Sequence, residues 1–375
     1  MKKKSAIVIG AGIVGLATAR ALAVRNYKVT VFERNGKATG ASIRNFGMIW
    51  PIGQPQGILL ERAFIAKSIW KTIAEEANIW HKESGSLHLA YHQDELKVMD
   101  EFSEANKGIR NCSILNPQDT IKKSKIINPE NLKGALWSKD EMIVEAREAI
   151  HQLAIYLQEK YEVVFHFNKA ISRITYPKAY SGKEVFSADE IYVCSGADFE
   201  TLYPEVFASL PISKCKLQMM RMDGFAGKPD DSPSLCGGLS MIHYASFNEA
   251  KSLPLLKKRY ETDFAEYMKW GIHVMLSQNS NGEFTIGDSH EYGFDLDPFN
   301  KKKINDLIIS YLKSFVVLDH NQPAQTWNGV YPKLMNHQTE LVLKPEDGVT
   351  IINGLGGAGM TLSFGLAEQV IASNY

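Results

Sequence analysis

Three glycines near the start of the chain have the spacing that lets a backbone turn bind a pyrophosphate. They are Gly10, Gly12 and Gly15, in the run Gly10-Ala11-Gly12-Ile13-Val14-Gly15. The first makes a tight turn, the second leaves room for phosphate oxygens, and the third lets a helix pack close to a strand. Glu33 follows at the position where a carboxylate accepts hydrogen bonds from ribose hydroxyls, and it would repel the 2′-phosphate of NADP. The pattern predicts dinucleotide binding.

A strand, a helix and a second strand must hold this turn in place. The β-branched apolar run at 6–9 predicts a buried parallel strand. Helical spacing of apolar residues predicts a helix at 13–24, and a second strand is predicted to end at Glu33. The helix N-terminus would then present free N–H groups and a positive dipole end to the pyrophosphate.

The run Gly40-Ala41-Ser42-Ile43-Arg44-Asn45-Phe46-Gly47 resembles the D-amino acid oxidase superfamily of flavoproteins, which includes glycine oxidase and sarcosine oxidase. The resemblance covers nearly the whole chain and implies FAD, bound non-covalently, as the cofactor. Arg44 has a second interpretation, as a surface salt bridge. The residues expected at the FAD site are Gly10, Gly12, Gly15, Glu33, Arg34, Ala41, Ser42, Arg44, Asn45, Gly47, Met48, Ile171, Ser195, Gly196, Gly329, Gly354, Gly356, Gly357, Gly359, Met360 and Thr361.

A second glycine-rich turn lies near the other end of the sequence. It is the run Gly354-Leu355-Gly356-Gly357-Ala358-Gly359, between a predicted strand at 349–353 and a predicted helix at 364–372. By the resemblance, this loop closes over the flavin ring with its N–H groups facing the pyrimidine carbonyl. Such groups would stabilise negative charge on the reduced flavin.

The middle of the chain predicts a substrate domain. Helices are expected at 95–106 and 143–158, and the runs 239–247, 272–278 and 283–288 predict strands of one antiparallel sheet, with a hairpin turn at 279–282. The histidines on this sheet have two interpretations, as substrate-binding residues or as ordinary core residues. The residues predicted to be catalytic are Arg44, Asn45, His273, His290 and Tyr331.

Two runs resemble one branch of the superfamily, which is associated with breakdown of 2-aminoethylphosphonate and its N-methyl relatives. They are Trp270-Gly271-Ile272-His273-Val274 and Gly287-Asp288-Ser289-His290-Glu291-Tyr292-Gly293. Many relatives hold a substrate carboxylate with a cation just before Pro332 and another in the final glycine loop. Tyr331 occupies the first of these positions here. A plain amino acid is therefore a poor match. Arg44, Lys333, His273 or His290 could hold the anion of a phosphonate, and a substrate without an anion is equally compatible with the sequence.

The fold class predicted is α/β, with a Rossmann-like FAD-binding domain and an inserted α+β substrate domain built on an antiparallel sheet. The FAD-binding domain is assigned to 1–85, 143–215 and 325–375. The substrate-binding domain is assigned to 86–142 and 216–324.

Composition excludes several classes of protein. The 42 basic residues balance 42 acidic residues, so no global field attracts nucleic acid. The four cysteines fit no zinc motif, and we expect no metal and a cytoplasmic location. Glycines interrupt the first apolar run, and no apolar window is long enough to span a membrane.

The predicted activity is oxidation of a C–N bond in a small primary or secondary amine, with hydride transfer to flavin N5. Oxygen or another acceptor would reoxidise the flavin, and the oligomeric state is left open. A glycine, sarcosine or D-amino-acid oxidase is one alternative. A flavin-binding accessory protein without amine turnover and an NAD-only dehydrogenase are two others.

Overall fold

The computed structural model describes residues 3–224, 231–318 and 323–373, so the predicted domain limits at 1 and 375 lie outside the described residues. Its strands, in chain order, are β1 (Ser5–Ile9), β2 (Lys28–Phe32), β3 (Met48–Ile49), β4 (His81–Lys82), β5 (Ser86–Ala90), β6 (Cys112–Leu115), β7 (Gly134–Ser138), β8 (Met142–Val144), β9 (Val164–His166), β10 (Arg173–Thr175), β11 (Lys178–Ser181), β12 (Glu184–Ser187), β13 (Glu190–Val193), β14 (Ile212–Met222), β15 (Ser234–Cys236), β16 (Met275–Gln278), β17 (Phe284–Gly287), β18 (Glu291–Gly293), β19 (Gln325–Leu334), β20 (Leu341–Glu346) and β21 (Val349–Asn353).

The helices, in chain order, are α1 (Ile13–Ala23), α2 (Ile58–Glu76), α3 (Gln93–Ala105), α4 (Pro117–Lys123), α5 (Ala146–Tyr161), α6 (Pro204–Ser209), α7 (Ser240–His243), α8 (Leu253–Asp263), α9 (Ala265–Lys269), α10 (Lys302–Phe315) and α11 (Gly359–Ala372). Single 3₁₀ turns occur at Ala41–Ile43, Pro51–Gly53, Ala245–Glu249 and Gly356–Ala358. Among the described residues, no helix is both long and apolar enough to cross a membrane.

A six-stranded, mostly parallel sheet positions the two glycine-rich turns. Its strand order is β20-β21-β13-β1-β2-β9, and only the β20–β21 pair is antiparallel. The central strands are apolar and buried on both faces, as a parallel sheet covered by helices requires. The predicted order of strand, helix and strand at the N-terminus is confirmed by β1, α1 and β2.

A nine-stranded sheet forms the second large layer. Its order is β18-β14-β17-β16-β15-β5-β7-β6, with β19 also paired to β14. The predicted hairpin is confirmed because β16 and β17 pair antiparallel, with Met275 opposite Gly287. The long strand β14 pairs with β19 over its length, from Ile212 opposite Leu334 to Arg221 opposite Gln325. The predicted domain boundary between 215 and 216 falls inside β14, and the domain division stays a prediction.

Three predicted elements were wrong in type or in extent. The predicted strand at 239–247 is the short helix α7 followed by a 3₁₀ turn, and its alternating apolar residues reflect burial of that segment rather than a strand. The first residues of the predicted helix at 143–158 belong to β8, and α5 begins only after Glu145 caps it. The last helix begins at Gly359 and not at Phe364, because packing overrides the low helix propensity of glycine.

Candidate active site

The N-terminal turn is built on contacts that only glycine allows. Gly10 has a φ angle of +104°, in the left-handed region. A Cβ on Gly10 would lie 2.4 Å from the carbonyl oxygen of Cys194, and a Cβ on Gly15 would lie 1.9 Å from the carbonyl oxygen of Gly10. Both distances are shorter than real Cβ contacts, so the turn and the start of α1 depend sterically on these two positions.

Two polar side chains hold the turn. Glu33 accepts hydrogen bonds from the N–H of Ala11 through Oε2 and from the N–H of Asn35 through Oε1, each at 3.0 Å. Ser42 Oγ accepts from the N–H of Ile13 at 2.9 Å, at the first residue of α1. The predicted residues Glu33 and Ser42 therefore shape the N-terminus of α1, and their contact with a cofactor stays a prediction.

Asn45 organises the predicted flavin segment. Its Nδ2 donates to the carbonyl oxygens of Ala41 and Ser42, each at 2.9 Å, and its Oδ1 accepts from the N–H of Gly47 at 2.8 Å. Gly47 has a φ of +72°, and a Cβ there would lie 1.9 Å from the carbonyl oxygen of Val144. The Asn45 amide thus positions its own loop, and a catalytic role for it stays a prediction.

Arg44 ties this segment to β19. Its Nη1 donates to the carbonyl oxygen of Asn328 at 3.1 Å, while Trp327 Nε1 donates to the carbonyl oxygen of Arg44 at 3.2 Å. A Cβ on Gly329 would lie 3.3 Å from that same Arg44 oxygen. The Arg44 side chain is exposed, so its predicted contact with the flavin or substrate stays a prediction.

The C-terminal glycine loop meets the N-terminal turn. Gly354 and Gly356 have φ angles of +74° and +57°, and α11 begins at Gly359. A Cβ on Gly359 would lie 3.4 Å from Cγ2 of Ile13, so the N-termini of α11 and α1 are adjacent. Two helix N-termini at one place favour a negatively charged group.

The first turn of α11 is fastened to neighbouring elements. The carbonyl oxygen of Met360 accepts from Trp70 Nε1 at 3.0 Å, and Thr361 Oγ1 accepts from the N–H of Trp50 at 2.9 Å. Met360 and Thr361 are buried, as is Met48 on β3. These predicted cofactor residues therefore lie on one packed wall between α11 and β3.

The ends of β13 and β21 are joined beside the same turn. Asn353 Nδ2 donates to the carbonyl oxygen of Gly196 at 3.0 Å and to Ser195 Oγ at 3.4 Å. Gly196 has a φ of +60°, with open space where a Cβ would lie. The predicted pair Ser195 and Gly196 is thereby fixed at the carboxyl end of the parallel sheet, where ligands of such sheets bind.

Two further predicted cofactor residues, Arg34 and Ile171, belong to the region of the parallel sheet. Arg34, after β2, forms an ion pair with Asp198. Ile171 is buried in a core cluster that includes Ile7 and Phe32. The roles of Arg34 and Ile171 in cofactor binding therefore stay predictions.

Together these turns form a cradle that fits FAD. The backbone is held close by glycines where a Cβ would collide, and two helix N-termini converge at its centre. The α1 turn suits the pyrophosphate and the α11 loop suits the flavin ring.

Tyr331 connects the cradle to the substrate side. It is buried on β19, and its Oη lies 3.6 Å from the point where a Cβ of Gly357 would be. Its ring lies edge-on to the ring of His290, with centroids 6.5 Å apart. On the same strand, Lys333 runs along Gly356, whose Cβ would lie 3.2 Å from the lysine Cδ. One wall therefore joins the glycine loop, a hydroxyl, a cation and an imidazole.

Three histidines meet beyond Tyr331. One ring nitrogen from each of His243, His273 and His290 lies within 4.8 Å of the others. The rings of His243 and His273 have centroids 3.7 Å apart, and those of His273 and His290 have centroids 5.3 Å apart. His273 and His290 are buried, whereas His243, on α7, is exposed.

Asp288 lies between two of these imidazoles. Its Oδ1 is 3.2 Å from His273 Nε2, without hydrogen-bond geometry, and its Oδ2 is 3.9 Å from His290 Nε2. His290 Nδ1 is 2.9 Å from the carbonyl oxygen of Gly271. Because a carbonyl only accepts, Nδ1 carries the proton in the neutral ring and Nε2 keeps its lone pair.

Burial sets the charge state of the cluster. It lowers the pKa of His290 to about 4 and moves the pKa of His273 well below the usual range. Surrounding protein atoms also lower the pKa of His243 well below its usual range, because they remove water from its imidazole, although the residue as a whole is exposed. Burial raises the pKa of Asp288 well above its usual range. Without an added ion, the imidazoles are neutral at pH 7.

The sequence places His243 and Asp288 among the candidate residues of the predicted sheet, but not among the residues predicted to be catalytic. Asp288 and His290 are two positions apart in an extended segment, which places both on one face, and that spacing was a usable signal. His243 was assigned to a strand, so its approach to His273 could not be predicted. Of the five residues predicted to be catalytic, the structure brings together His273, His290 and Tyr331. Arg44 and Asn45 instead bond to β19 and to their own loop.

Comparison with known families decides the class of this protein. A family model described as FAD dependent oxidoreductase, DAO, matches residues 5–373. The chain belongs to this family. It is a FAD-dependent oxidoreductase, and its cofactor is the one that the glycine cradle fits.

Curated relatives match over part of their length. A D-amino acid dehydrogenase from Helicobacter pylori is 24% identical over 251 residues, which cover 52% of this chain and 60% of the relative. A glycerol 3-phosphate dehydrogenase from Caloramator mitchellensis is 24% identical over 197 residues, which cover 50% of this chain and 41% of the relative. The chain thus spans less than two thirds of either relative.

Solved structures share the fold over the full chain. Glycine oxidase from Geobacillus kaustophilus superposes with a TM-score of 0.78 at 18% identity, covering 100% of this chain and 95% of the other. L-proline dehydrogenase from P. horikoshii gives 0.75 at 19% identity, covering 99% and 92%. L-α-glycerophosphate oxidase from Mycoplasma pneumoniae, with FAD bound, gives 0.74 at 16% identity, covering 100% and 95%. At these identities, the similarities establish the mixed α/β fold.

Proposed function

We propose that this flavoprotein oxidises the C–N bond of a small primary or secondary amine to an imine, and that the substrate is an aminophosphonate such as 2-aminoethylphosphonate or its N-methyl derivative. Relatives named D-amino acid dehydrogenase and glycine oxidase support an amine or amino-acid substrate. The runs around His273 and His290 support the aminophosphonate.

The observation that carries the proposal is the wall formed by Tyr331. Its hydroxyl faces Gly357 of the cofactor loop, its ring faces His290, and Lys333 lies beside Gly356. A small substrate at this wall would have a hydroxyl for its amine and an ammonium group for its anion. Tyr331 also stands where relatives place a carboxylate-binding cation, which favours a different anion.

The residues of this wall bind and orient rather than abstract protons. Burial raises the pKa of Tyr331 well above its usual range, so its hydroxyl stays protonated and can hydrogen-bond a neutral amine. When bound, FAD would accept the hydride from the carbon next to nitrogen. We expect the buried side chains of His273 and His290 to limit the access of water to a substrate bound at this wall.

Anaerobic mixing of the FAD-loaded protein with single substrates tests the proposal. The panel contains 2-aminoethylphosphonate, N-methyl-2-aminoethylphosphonate, glycine, sarcosine and D-alanine, and loss of the flavin absorbance is followed in a stopped-flow instrument. We expect fast bleaching by one or both aminophosphonates. Tyr331→Phe should slow the bleaching step and leave the FAD content unchanged.

Lys333→Met tests binding of the substrate anion separately from binding of the amine. Loss of a charge-assisted contact should raise the aminophosphonate concentration for half-maximal bleaching by about 10- to 100-fold. Lys344→Met, which removes an exposed lysine on β20, is the matched control. Bleaching by amino acids alone would contradict the aminophosphonate and indicate an amino-acid oxidase. A flavin that no amine bleaches would contradict amine oxidation altogether.

A further inference from the structure

The three-histidine cluster has the composition of a metal site. We propose that His243, His273 and His290 bind one divalent transition-metal ion, with Zn²⁺ as the expected occupant. Each contributes one ring nitrogen, and these atoms lie within 4.8 Å of one another.

His290 makes the kind of hydrogen bond that metal-binding histidines commonly make through the nitrogen that does not bind the metal. Its Nδ1–H donates to the carbonyl oxygen of Gly271 at 2.9 Å. This bond fixes the tautomer and the ring plane, and it leaves the Nε2 lone pair directed toward Asp288 and the cluster. Ligating histidines commonly donate their second N–H to a carbonyl or a carboxylate in this manner.

Buried polar atoms in the cluster lack partners. Within the described residues, neither ring nitrogen of His273 has a hydrogen bond, and neither does Asp288 Oδ1. His273 and Asp288 are 3% and 5% exposed, so solvent does not satisfy these atoms. An unpaired buried polar group costs about 1–3 kcal/mol. A cation bound between the imidazoles would interact with one ring nitrogen of His273 and with Asp288 Oδ1.

The same geometry disfavours an anion. An anion at the cluster would need a donor at His290 Nε2, but in the neutral ring the proton is on Nδ1 and Nε2 carries a lone pair. The Asp288 carboxyl group lies within 3.9 Å of both buried imidazoles, where a bound cation would favour its ionised form and a bound anion would not. A metal ion takes neutral imidazoles and gains from a nearby carboxylate.

Coordination requires one ligand to move. Zinc binds imidazole nitrogen at about 2.0–2.1 Å, which places tetrahedral ligand atoms about 3.4 Å apart. The ring of His243 now lies against that of His273, with centroids 3.7 Å apart. His243 is the exposed member and belongs to the four-residue helix α7, so its ring has room to turn toward the ion. His273 and His290 are held by packing.

Three imidazole ligands favour particular metal ions and leave one coordination position of the ion open. Imidazole suits zinc, copper, iron and nickel better than magnesium or calcium. Three protein ligands leave a fourth zinc position open, as in catalytic zinc sites. That position could accept an oxygen of a small anionic molecule.

Direct metal binding tests the inference without reference to turnover. FAD-loaded protein is freed of metal with a chelator and dialysed against Zn²⁺ in competition with a chromophoric chelator. We expect one Zn²⁺ per chain. His243→Ala, which alters an exposed side chain, and His273→Ala should each weaken binding by at least about tenfold. Co²⁺ in place of Zn²⁺ should give visible ligand-field bands that the His243 variant loses.

Two further variants make the result decisive. His151→Ala, which removes a half-buried histidine on α5, should leave Zn²⁺ affinity unchanged. Asp288→Asn should weaken Zn²⁺ binding, whereas it would strengthen binding of inorganic phosphate if the cluster were an anion site. The inference is overturned by wild-type protein that takes up no Zn²⁺, by equal affinities in the cluster variants and the control, or by tighter phosphate binding in Asp288→Asn. FAD content and thermal midpoint verify that each variant is folded.

Discussion

His88 lies on β5 with its ring beside Trp50 and Phe247, at centroid distances of 6.0 and 5.2 Å. It is completely buried, and within the described residues neither of its ring nitrogens has a hydrogen-bond partner. Burial lowers the pKa of His88 to about 3. The ring is therefore neutral in the folded protein over the whole range in which it charges in the unfolded chain.

This difference predicts acid sensitivity. Below the unfolded pKa of about 6.5, the unfolded chain takes up a proton that folded His88 does not, so the free energy of unfolding falls as the pH falls. The loss from His88 should reach about 2 kcal/mol at pH 5. Denaturant unfolding between pH 7 and pH 5 measures it, and His88→Leu should flatten the pH dependence by that amount.

The control for this measurement is His337→Asn, which replaces an exposed histidine with a residue that tolerates the same positive φ. It should keep the wild-type pH dependence. Equal slopes for His88→Leu and the wild type would mean that buried His88 takes up a proton in the folded state.

At the level of secondary-structure elements, the turn between β1 and α1 depends on Gly10 and Gly15, where a Cβ would collide with backbone atoms. A Cβ at Gly15 would lie 1.9 Å from the Gly10 carbonyl oxygen, which is backbone and cannot turn away. Gly15→Ala should therefore displace α1 from β1, lower the FAD occupancy of purified protein severalfold and destabilise the fold. The ratio of flavin to protein absorbance measures the occupancy.

Gly293→Ala is the comparison for this substitution. Gly293 lies on β18 with a negative φ, and its Cβ would meet Leu296 at 3.6 Å, an ordinary contact. This variant should keep full FAD occupancy. Normal occupancy in Gly15→Ala would show that the turn can open by more than 1 Å without losing the cofactor.

Local elements with strong periodicity could be predicted from the sequence, because their signals are short-range. The turn Gly10–Gly15 lies between β1 and α1 where its pattern placed it, and the hairpin at 279–282 followed from turn chemistry. The helix α7 could not be predicted, because the burial of Leu239, Met241 and Phe247 imitates strand alternation.

The residues of the site also fall into two groups, those that a local sequence pattern predicts and those that only tertiary packing brings together. Residues that act through backbone geometry, such as Gly10 and Gly15, have sequence spacing as their signal. The meeting of His243 with His273, and of both with Asp288, depends on how α7 packs against the nine-stranded sheet. That packing is set by tertiary contacts, which no local pattern in the sequence encodes.

At the scale of the whole molecule, the cofactor cradle draws on distant parts of the chain. Ser42 lies beside α1, Asn353 lies beside Gly196, and Gly359 lies beside Ile13. FAD bound in this cradle would therefore link segments that otherwise separate on unfolding. A ligand that binds only the folded state stabilises it by about 4 kcal/mol at a thousandfold excess over its Kd.

Removal of FAD should accordingly lower the thermal midpoint, and titration with FAD should raise it continuously with the logarithm of FAD concentration. Differential scanning fluorimetry with an external dye measures the midpoint. AMP at the same concentrations is the comparison, and it should give a smaller rise because it lacks the flavin half. A thermal midpoint that does not change with FAD concentration would contradict the assignment of the cradle as the FAD-binding site.

The pairing of the first helix with the last has a consequence for synthesis of the protein. Arg20 on α1 is bonded to Glu368 on α11, 348 positions later, and β21 supplies the parallel neighbour of β13. During synthesis, one edge of β13 therefore stays unpaired until β21 has emerged from the ribosome. Contacts of such long range form late and slowly. We therefore expect flavin to bind late in maturation, and chains that lack β21 to leave one edge of the buried strand β13 exposed.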